Sequence, residues 1–396
     1  MLNIESKQEP GTFALFNLGF RPFFLAAAAF ATVSMLIWMG IYIFGWSIQP
    51  YGSSQTWHAH EMIFGYALAV IAGFLLTAVK NWTNVQTPTG VSLALIFLLW
   101  LAGRILPFFH AVDMHLIALI DNLFILTLII SVGLPIIKTR QWEHSGILFI
   151  LFLFLISNII FYAGLLKIID NGISIGLYSG LYLVVGLIFL MGRRVIPFFI
   201  EKGVDETVQL TNYKWLDISS PIFFVCFWLS SLFLTLPVLT TSLAIILFIL
   251  HSIRMLGWHT PGIWRKPLLW SIYLAYGFLT VGFALHALGH VFDISPFITL
   301  HTFAVGGVGI MTIGMMSRVA LGHTGRSVFE PPKILALIFL LLLIASLVRV
   351  VLPLLMPAEY ILWIGVSQVF WITAFATFFL YYFPVLYKPR VDGRFG

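Results

Sequence analysis

A series of uninterrupted apolar runs, each long enough to cross a lipid bilayer, is the feature that most constrains this chain. A helix needs roughly 20 apolar residues for such a crossing. The runs are continuous and do not alternate with period two, so they predict helices and not the strands of a membrane barrel. We count twelve of them, near residues 22–46, 58–79, 90–109, 113–137, 146–168, 174–199, 215–236, 238–258, 268–291, 295–321, 333–355 and 359–386.

Composition supports this interpretation, because 60% of the 396 residues are hydrophobic and only 9% are charged. Water-soluble domains of this size carry far more charge. The connections between the runs are short, so we expect one all-α polytopic membrane domain over residues 1–396, surrounded by lipid. The polar start lacks an apolar stretch with a cleavage site, so the first span serves as the insertion signal. Cys226 is the single cysteine, which excludes an intramolecular disulfide and covalent CxxCH haem attachment.

The positive charges predict the orientation of the spans. With both termini in the cytoplasm, 18 of the 21 lysines and arginines face that side, and only Arg104, Lys167 and Arg349 face the other. Membrane proteins concentrate lysine and arginine in their cytoplasmic loops. We therefore predict twelve spans with both termini inside. The net charge of +6 follows from this loop bias and requires no nucleic acid as a partner.

Histidines are concentrated near the predicted outer face. His286 and His290 are four residues apart, so they share one helix face and are suited to present two nitrogen ligands to one metal ion. His58 and His60 are two residues apart, about 200° around a helix, and cannot reach a common target while both are helical. The outer group contains seven of the eleven histidines, namely His58, His60, His110, His115, His286, His290 and His301.

An internal repeat relates the second span to the tenth. His60 and His301 are 241 residues apart, and the same offset relates Gly65 to Gly306. A fainter copy in the middle of the chain suggests a four-span unit used three times, although such repeats also occur in transporters. The tenth span carries several glycines after His301, which predict either tight helix packing or a close approach by a flat ring such as a haem.

Four charged residues need separate explanations. Arg104 either extends towards the membrane surface or neutralises an anionic group. Asp121 lies inside the fourth span, where a carboxylate is functional or paired. Arg194 and Arg318 lie at the predicted cytoplasmic side, where anchoring by the positive-inside rule is the simpler explanation and pairing with haem propionates is the alternative.

Several motifs together resemble the NnrS family over nearly the whole chain: "GFRPFF", "WHAHEMIFGY", "AGFLLTAVKNWT", "LWLAGRI", "GRRVIPFF", "HALGH" and "HTFAVGGVGIMTIGMMSRVALGHTGR". The resemblance implies a bacterial inner-membrane protein of about twelve spans that contains haem and copper and takes part in nitric oxide and nitrosative-stress responses. The arrangement also resembles the catalytic subunits of haem-copper oxidases. That similarity is weaker, because the sixth and seventh spans lack histidines where those oxidases hold copper.

Combining the resemblance with the helical spacing, we predict non-covalent haem b and copper, with nitric oxide or an iron-nitrosyl species as the ligand. His60 and His301 are the predicted haem ligands, with His251, His259 and His323 as the second choice. The predicted second-metal ligands are His58, His286 and His290, supported by Glu61. The alternatives are a transporter in which Glu61, Asp121 and the outer histidines relay protons or bind a transported metal, and a quinone-linked oxidoreductase.

Overall fold

The computed structural model describes residues 13–48, 50–234 and 236–396, and of His290 it describes the backbone only. All regular secondary structure in these ranges is helical. Twelve of the described helices are long and apolar enough to span a membrane, which confirms the predicted fold class and span number. They are α1 (Phe20–Tyr42), α2 (Ser54–Thr83), α3 (Gly90–Phe108), α4 (Met114–Thr139), α5 (Trp142–Leu165), α6 (Gly172–Gly203), α7 (Lys214–Phe233), α8 (Pro237–Trp258), α9 (Pro267–Gly289), α10 (Pro296–His323), α11 (Ile334–Leu355) and α12 (Pro357–Tyr387).

Local signals in the sequence set several helix ends. Proline is the first residue of α8, α9, α10 and α12, where its fixed φ suits a helix and its missing N–H removes no hydrogen bond. Asn84 follows α2 and Arg140 follows α4, with φ values of 54° and 55°. A residue in this left-handed conformation ends a helix by turning the chain away from the axis.

The chain divides into two compact units. Unit 1 consists of Met1–Leu183, Met316–Val328 and Phe375–Gly396, whereas unit 2 consists of Val184–Met315 and Phe329–Ala374. Unit 1 therefore contains α1 to α5, and unit 2 contains α7, α8, α9 and α11. The predicted single membrane domain over residues 1–396 stays a prediction. His60 belongs to unit 1 and His301 to unit 2, so each is described within its own unit.

Arg21 ties the start of α1 to the end of α12 within unit 1. Its side chain is fully buried, and Nη1 donates hydrogen bonds of 2.7 Å to the carbonyl oxygens of Leu386 and Lys388. Carbonyl groups at the end of a helix lack partners inside the helix, and a guanidinium group satisfies them. The first span therefore begins on the side of the bilayer where the last span ends, as an even number of spans requires.

The glycines of α10 are used for helix packing. A Cβ at Gly309 would lie 2.6 Å from the Trp371 ring, and one at Gly314 would lie 3.1 Å from Ile272. The space beside Gly306 and Gly307 is occupied by Phe278 and Leu279 of α9. The sequence left two explanations for these glycines, tight helix packing and the close approach of a flat ring. Tight packing agrees with the structure, because side chains of neighbouring helices fill the space beside the glycines.

Candidate functional site

Charged side chains from three helices meet in the interior of unit 1. Arg104 of α3 lies between Glu61 of α2 and Asp121 of α4. Its Nη1 donates to Glu61 Oε2 at 2.7 Å, and its Nη2 donates to Asp121 Oδ1. All three side chains are at most 2% exposed, and buried charges are tolerated in a membrane only when they are paired in this way. Arg104 therefore neutralises anionic groups, and Asp121 is paired.

Two glycines leave the room that these ion pairs need. A Cβ at Gly65 would lie 2.8 Å from Glu61 Oε2 and 3.0 Å from Arg104 Nη1. A Cβ at Gly103 would lie 2.8 Å from Asp121 Oδ1. Because non-bonded carbon and oxygen atoms do not approach this closely, alanine at either position would displace a charged partner.

His60 lies at the centre of the same cluster, and both of its ring nitrogens have polar partners. Nδ1 is 2.7 Å from the Tyr51 hydroxyl and 3.1 Å from Glu61 Oε1. Nε2 is 2.9 Å from Asn158 Oδ1 and 3.4 Å from Asp121 Oδ2. The Tyr51 hydroxyl donates to Glu61 at 2.8 Å, and the Asn158 amide donates to Asp121 at 3.0 Å. Each ring nitrogen therefore faces an acceptor, and His60 is placed as an imidazolium that donates from both sides.

Charge balance supports this assignment. Two cations, His60 and Arg104, face two carboxylates, Glu61 and Asp121, and we call these four residues the ion cluster. Burial, together with the nearby Glu61 carboxylate, raises the pKa of Tyr51 well above its usual value, so its hydroxyl keeps the proton that it donates. The Tyr162 hydroxyl donates to Asp121 at 3.2 Å. With both carboxylates neutralised and hydrogen-bonded, the ion cluster satisfies its own charges inside the membrane-spanning part of the protein.

The surroundings of His60 do not fit a haem ligand. Its ring stacks on Phe161 at 4.3 Å between ring centroids and on Phe64 at 5.0 Å. An axial imidazole ligand must present a nitrogen lone pair to the iron, whereas both nitrogens of His60 are directed at acceptors. The assignment of His60 to haem stays a prediction, and it requires the ion cluster to rearrange.

His58 faces a different neighbour from His60. Its ring stacks on Trp38 of α1, with 4.5 Å between centroids and 5° between planes. The two imidazoles therefore contact different residues, as their spacing of two residues predicted.

The histidines related by the internal repeat share an unusual backbone feature. His60 is followed by a π-helical stretch, Glu61–Ala67, and His301 is followed by another, Thr302–Gly309. Their first residues are 241 positions apart, which is the offset found in the sequence. Short π-helical insertions are uncommon and are often found at functional sites. The feature strengthens the correspondence between α2 and α10.

His301 is placed differently from His60. Its Nδ1 lies 2.6 Å from the carbonyl oxygen of Phe297, one turn earlier in α10, and 3.1 Å from Arg349 Nη2 of α11. A carbonyl oxygen only accepts and a guanidinium only donates, so the two contacts require opposite tautomers; the shorter contact, to Phe297, favours a proton on Nδ1. In a neutral imidazole this places the lone pair on Nε2. Metal-binding histidines commonly donate their other ring N–H to a carbonyl in this way, so His301 fits a metal ligand.

Of the predicted copper pair, the structure describes one side chain. His286 packs edge-on against Phe227 of α7, with 5.0 Å between ring centroids. His290 lies one turn further along the same helix, which continues to Phe292, and its side chain is outside the described part of the structure. The shared helix face predicted for this pair follows from the helical backbone.

A second buried histidine centre lies in unit 2, and sequence reasoning ranked it below the first. His251 of α8 is 1% exposed, and its ring stacks on Phe189 of α6 at 4.0 Å between centroids. Its Nδ1 lies 2.6 Å from the Tyr276 hydroxyl of α9, whereas Nε2 has no hydrogen-bond partner among the described residues. On the next turn, Arg254 donates to Asp217 of α7 at 2.7 Å.

The predicted propionate partners occupy different surroundings. Arg194 of α6 is exposed, as expected for a charge that anchors a helix end at the membrane surface. Arg318 of α10 is 9% exposed and is assigned to unit 1, whereas Arg194 is assigned to unit 2. Their pairing with haem propionates stays a prediction.

Comparison with known proteins decides the family. The model of the family described as NnrS protein matches residues 14–390, nearly the whole chain. The chain belongs to the NnrS family. No curated protein matches the chain. Among the described residues of this NnrS protein, no group of three or more histidine, cysteine, aspartate or glutamate side chains is arranged to hold a metal ion. The copper ligands therefore stay a prediction.

Proposed function

We propose that this NnrS protein is a haem- and copper-containing protein of the bacterial inner membrane that acts in the response to nitric oxide. The observation that carries the proposal is the family match over residues 14–390. The twelve described spans agree with a multi-pass membrane protein, and the predicted orientation places both termini in the cytoplasm.

His301 is the haem ligand that we propose on structural grounds. Its Nδ1 lies 2.6 Å from the Phe297 carbonyl oxygen, and a proton on Nδ1 would place the lone pair on Nε2, as in many metal-binding histidines. Bound haem would supply an iron atom at which nitric oxide can coordinate. His251 is the second candidate, because its Nδ1 is held by the Tyr276 hydroxyl while its buried Nε2 has no partner among the described residues.

His286 and His290 remain the proposed copper ligands, with His58 and Glu61 as the further predicted members. Two imidazoles one helical turn apart suit copper, which binds nitrogen ligands well. The Glu61 carboxylate accepts hydrogen bonds from Arg104 and Tyr51, so it is already used in the ion cluster. We therefore base the copper proposal on the pair in α9.

The main alternative is a transporter that moves protons or metal ions. The ion cluster is the observation that favours it, because ionisable groups inside a membrane commonly mark ion pathways. The same cluster is balanced in charge and extensively hydrogen-bonded, which is typical of a fixed structural centre. This bonding pattern favours the cofactor protein over the transporter.

An absorption spectrum of the purified protein, combined with iron and copper analysis, tests the proposal. We expect a Soret band with iron bound in a fixed ratio to protein, together with copper that the variants His286→Ala and His290→Ala lose. The matched control is His115→Ala, an exposed outer histidine that pairs with Asp113 and should keep copper. A colourless protein that transports ions in liposomes would replace the proposal with the transporter.

A further inference from the structure

A cavity of about 580 Å³ lies at the end of α8 in unit 2. One wall is the last part of α8, and the other is the segment that connects α6 to α7. This volume lies in the range of small-molecule binding sites. The lining contains polar and apolar side chains but no charged one, and consists of Val208, Gln209, Leu210, Thr211, Tyr213, Ile253, Leu256, Gly257, His259 and Thr260.

Unused hydrogen-bond donors surround this cavity. The side chains of Gln209, Thr211, Tyr213 and Thr260 make no hydrogen bond within the described part of the chain, and the first three are exposed. Thr260 is only 8% exposed, so its hydroxyl has little access to solvent other than through the cavity. Each of these groups can donate a hydrogen bond. The lining can therefore donate to a ligand that is rich in acceptor oxygens, with Thr260 as its most buried donor.

His259 adds a fifth donor. Trp264 Nε1–H donates to His259 Nε2 at 3.2 Å, and an indole N–H can only donate. His259 Nε2 is therefore the acceptor, and its proton lies on Nδ1. The lining thus offers donors from five side chains, and no carboxylate is present in it to repel an anion.

Backbone and side-chain hydrogen bonds hold the two walls together. The Thr211 amide donates to the Gly257 carbonyl at 3.0 Å, and the Trp258 indole donates to Asn212 Oδ1 at 2.8 Å. At the other end of the segment, the Leu210 amide donates to Glu201 at 3.0 Å. The cavity is therefore preformed, which reduces the entropy lost when a ligand binds.

The apolar side of the cavity continues onto the surface of α8. Leu256 is 77% exposed and Ile249 is 48% exposed. With Ile253 they form a stripe at helical spacing that faces outward from unit 2. A soluble anion makes no favourable contact with this apolar stripe, whereas the acyl chains of a lipid can lie along it.

Charged residues flank the lining in the sequence: Asp205 and Glu206 precede it, with Asp205 paired to Lys266 at 2.6 Å, and exposed cations follow it. Lys214 follows Tyr213, and Arg265 follows Trp264, whose indole is bonded to His259. Both cations lie on the side predicted to face the cytoplasm, where lysine and arginine attract anionic lipids. A zwitterionic headgroup would place its own cation beside them.

We propose that this cavity binds the phosphate head of an anionic glycerophospholipid. The phosphodiester oxygens accept from Thr211, Thr260 and His259, and the acyl chains lie along the apolar stripe of α8. Lys214 and Arg265 favour a headgroup without a positive charge. The site shares no residue with the proposed haem ligands His301 and His251 or with the proposed copper ligands His286 and His290.

Native mass spectrometry of the full-length protein, titrated with phosphatidylglycerol in detergent, tests this proposal. We expect one tightly held lipid, and at least about tenfold weaker binding by the variant Thr211→Val/Thr260→Val, because both lost hydrogen bonds are to a charged acceptor. The control Lys138→Gln removes an exposed cation in the last turn of α4, on the same predicted side, and should bind as wild type. Wild-type affinity in a folded double valine variant would overturn the proposal.

A second variant and two further probes make the test independent of folding defects. Lys214→Gln/Arg265→Gln leaves the cavity wall intact and should reduce the preference for phosphatidylglycerol over phosphatidylcholine; an unchanged preference would contradict the proposal. Inorganic phosphate should fail to displace the lipid, because it has no acyl chains. Displacement by phosphate at concentrations similar to those of the lipid would assign the cavity to a free anion.

Discussion

The two units each contain a buried histidine centre of similar construction but with different charge. In unit 1 the His60 ring stacks on Phe161 and its Nδ1 meets the Tyr51 hydroxyl. In unit 2 the His251 ring stacks on Phe189 and its Nδ1 meets the Tyr276 hydroxyl. The difference lies at Nε2, which faces Asn158 in His60 and has no hydrogen-bond partner among the described residues in His251.

This difference separates two uses of a buried imidazole. His60 completes a neutral group of two cations and two carboxylates, so its protonated form is stabilised and its nitrogens are occupied. Among the described residues, no carboxylate is hydrogen-bonded to the His251 ring, and in the neutral tautomer whose Nδ1–H donates to the Tyr276 hydroxyl, Nε2 carries the lone pair. The first arrangement suits structure, whereas the second suits a ligand. His301, held by the Phe297 carbonyl, resembles the second.

The largest expected effect comes from removing the cation between the two carboxylates. Arg104→Met should lower the free energy of unfolding by about 5 kcal/mol, because it leaves Glu61 and Asp121 with one cation between them in a buried site. Denaturation in mixed micelles measures this loss. The control is Arg194→Met, an exposed arginine whose replacement should change stability by less than about 0.5 kcal/mol. Equal stability of both variants would show that the ion cluster does not hold unit 1 together.

The next effect concerns the charge of His60. His60→Gln should cost about 3 kcal/mol, because one of two buried carboxylates loses its cation. The double variant His60→Gln/Asp121→Asn restores the balance with one cation and one carboxylate, and should recover most of that loss in the same unfolding experiment. If the double variant is as unstable as the sum of its single variants, His60 is not an imidazolium.

The smallest effect is expected in unit 2. His251→Phe should cost about 1 kcal/mol, because it removes one hydrogen bond to Tyr276 while an aromatic ring still stacks on Phe189. Thermal unfolding of this variant beside His60→Gln compares the two centres directly. A loss for His251→Phe as large as that for His60→Gln would mean that the two centres do not differ in the way described.

Much of the fold was predictable from the sequence, because apolar runs and loop charges act locally along the chain. The predicted number of spans is confirmed, and the offset of 241 residues can be read from the sequence itself. The backbone change itself was not predictable, since "HEMIFGY" and "HTFAVGG" contain no residue that requires a π-helix.

The candidate site was less predictable, because its partners come from distant parts of the chain. The sequence predicted that Asp121 is functional or paired and left Arg104 open between reaching the surface and neutralising an anion, but Asn158 and Tyr51 carried no signal of their own. Sequence spacing placed His60 beside Glu61 without indicating that both nitrogens of its ring would be occupied. A charge count over the interior of the first five spans was the available clue, since Glu61 and Asp121 exceed the single cation Arg104 and so favour a protonated histidine.

The most direct test of the central claim compares haem binding in two folded variants. The claim is that His301 binds haem while His60 serves the ion cluster. We expect His301→Ala to lose or strongly shift the Soret band, and His60→Gln/Asp121→Asn, which keeps the charge balance, to retain the wild-type absorption spectrum and iron content. Loss of haem from the folded His60 variant, with a wild-type spectrum in folded His301→Ala, would contradict the account.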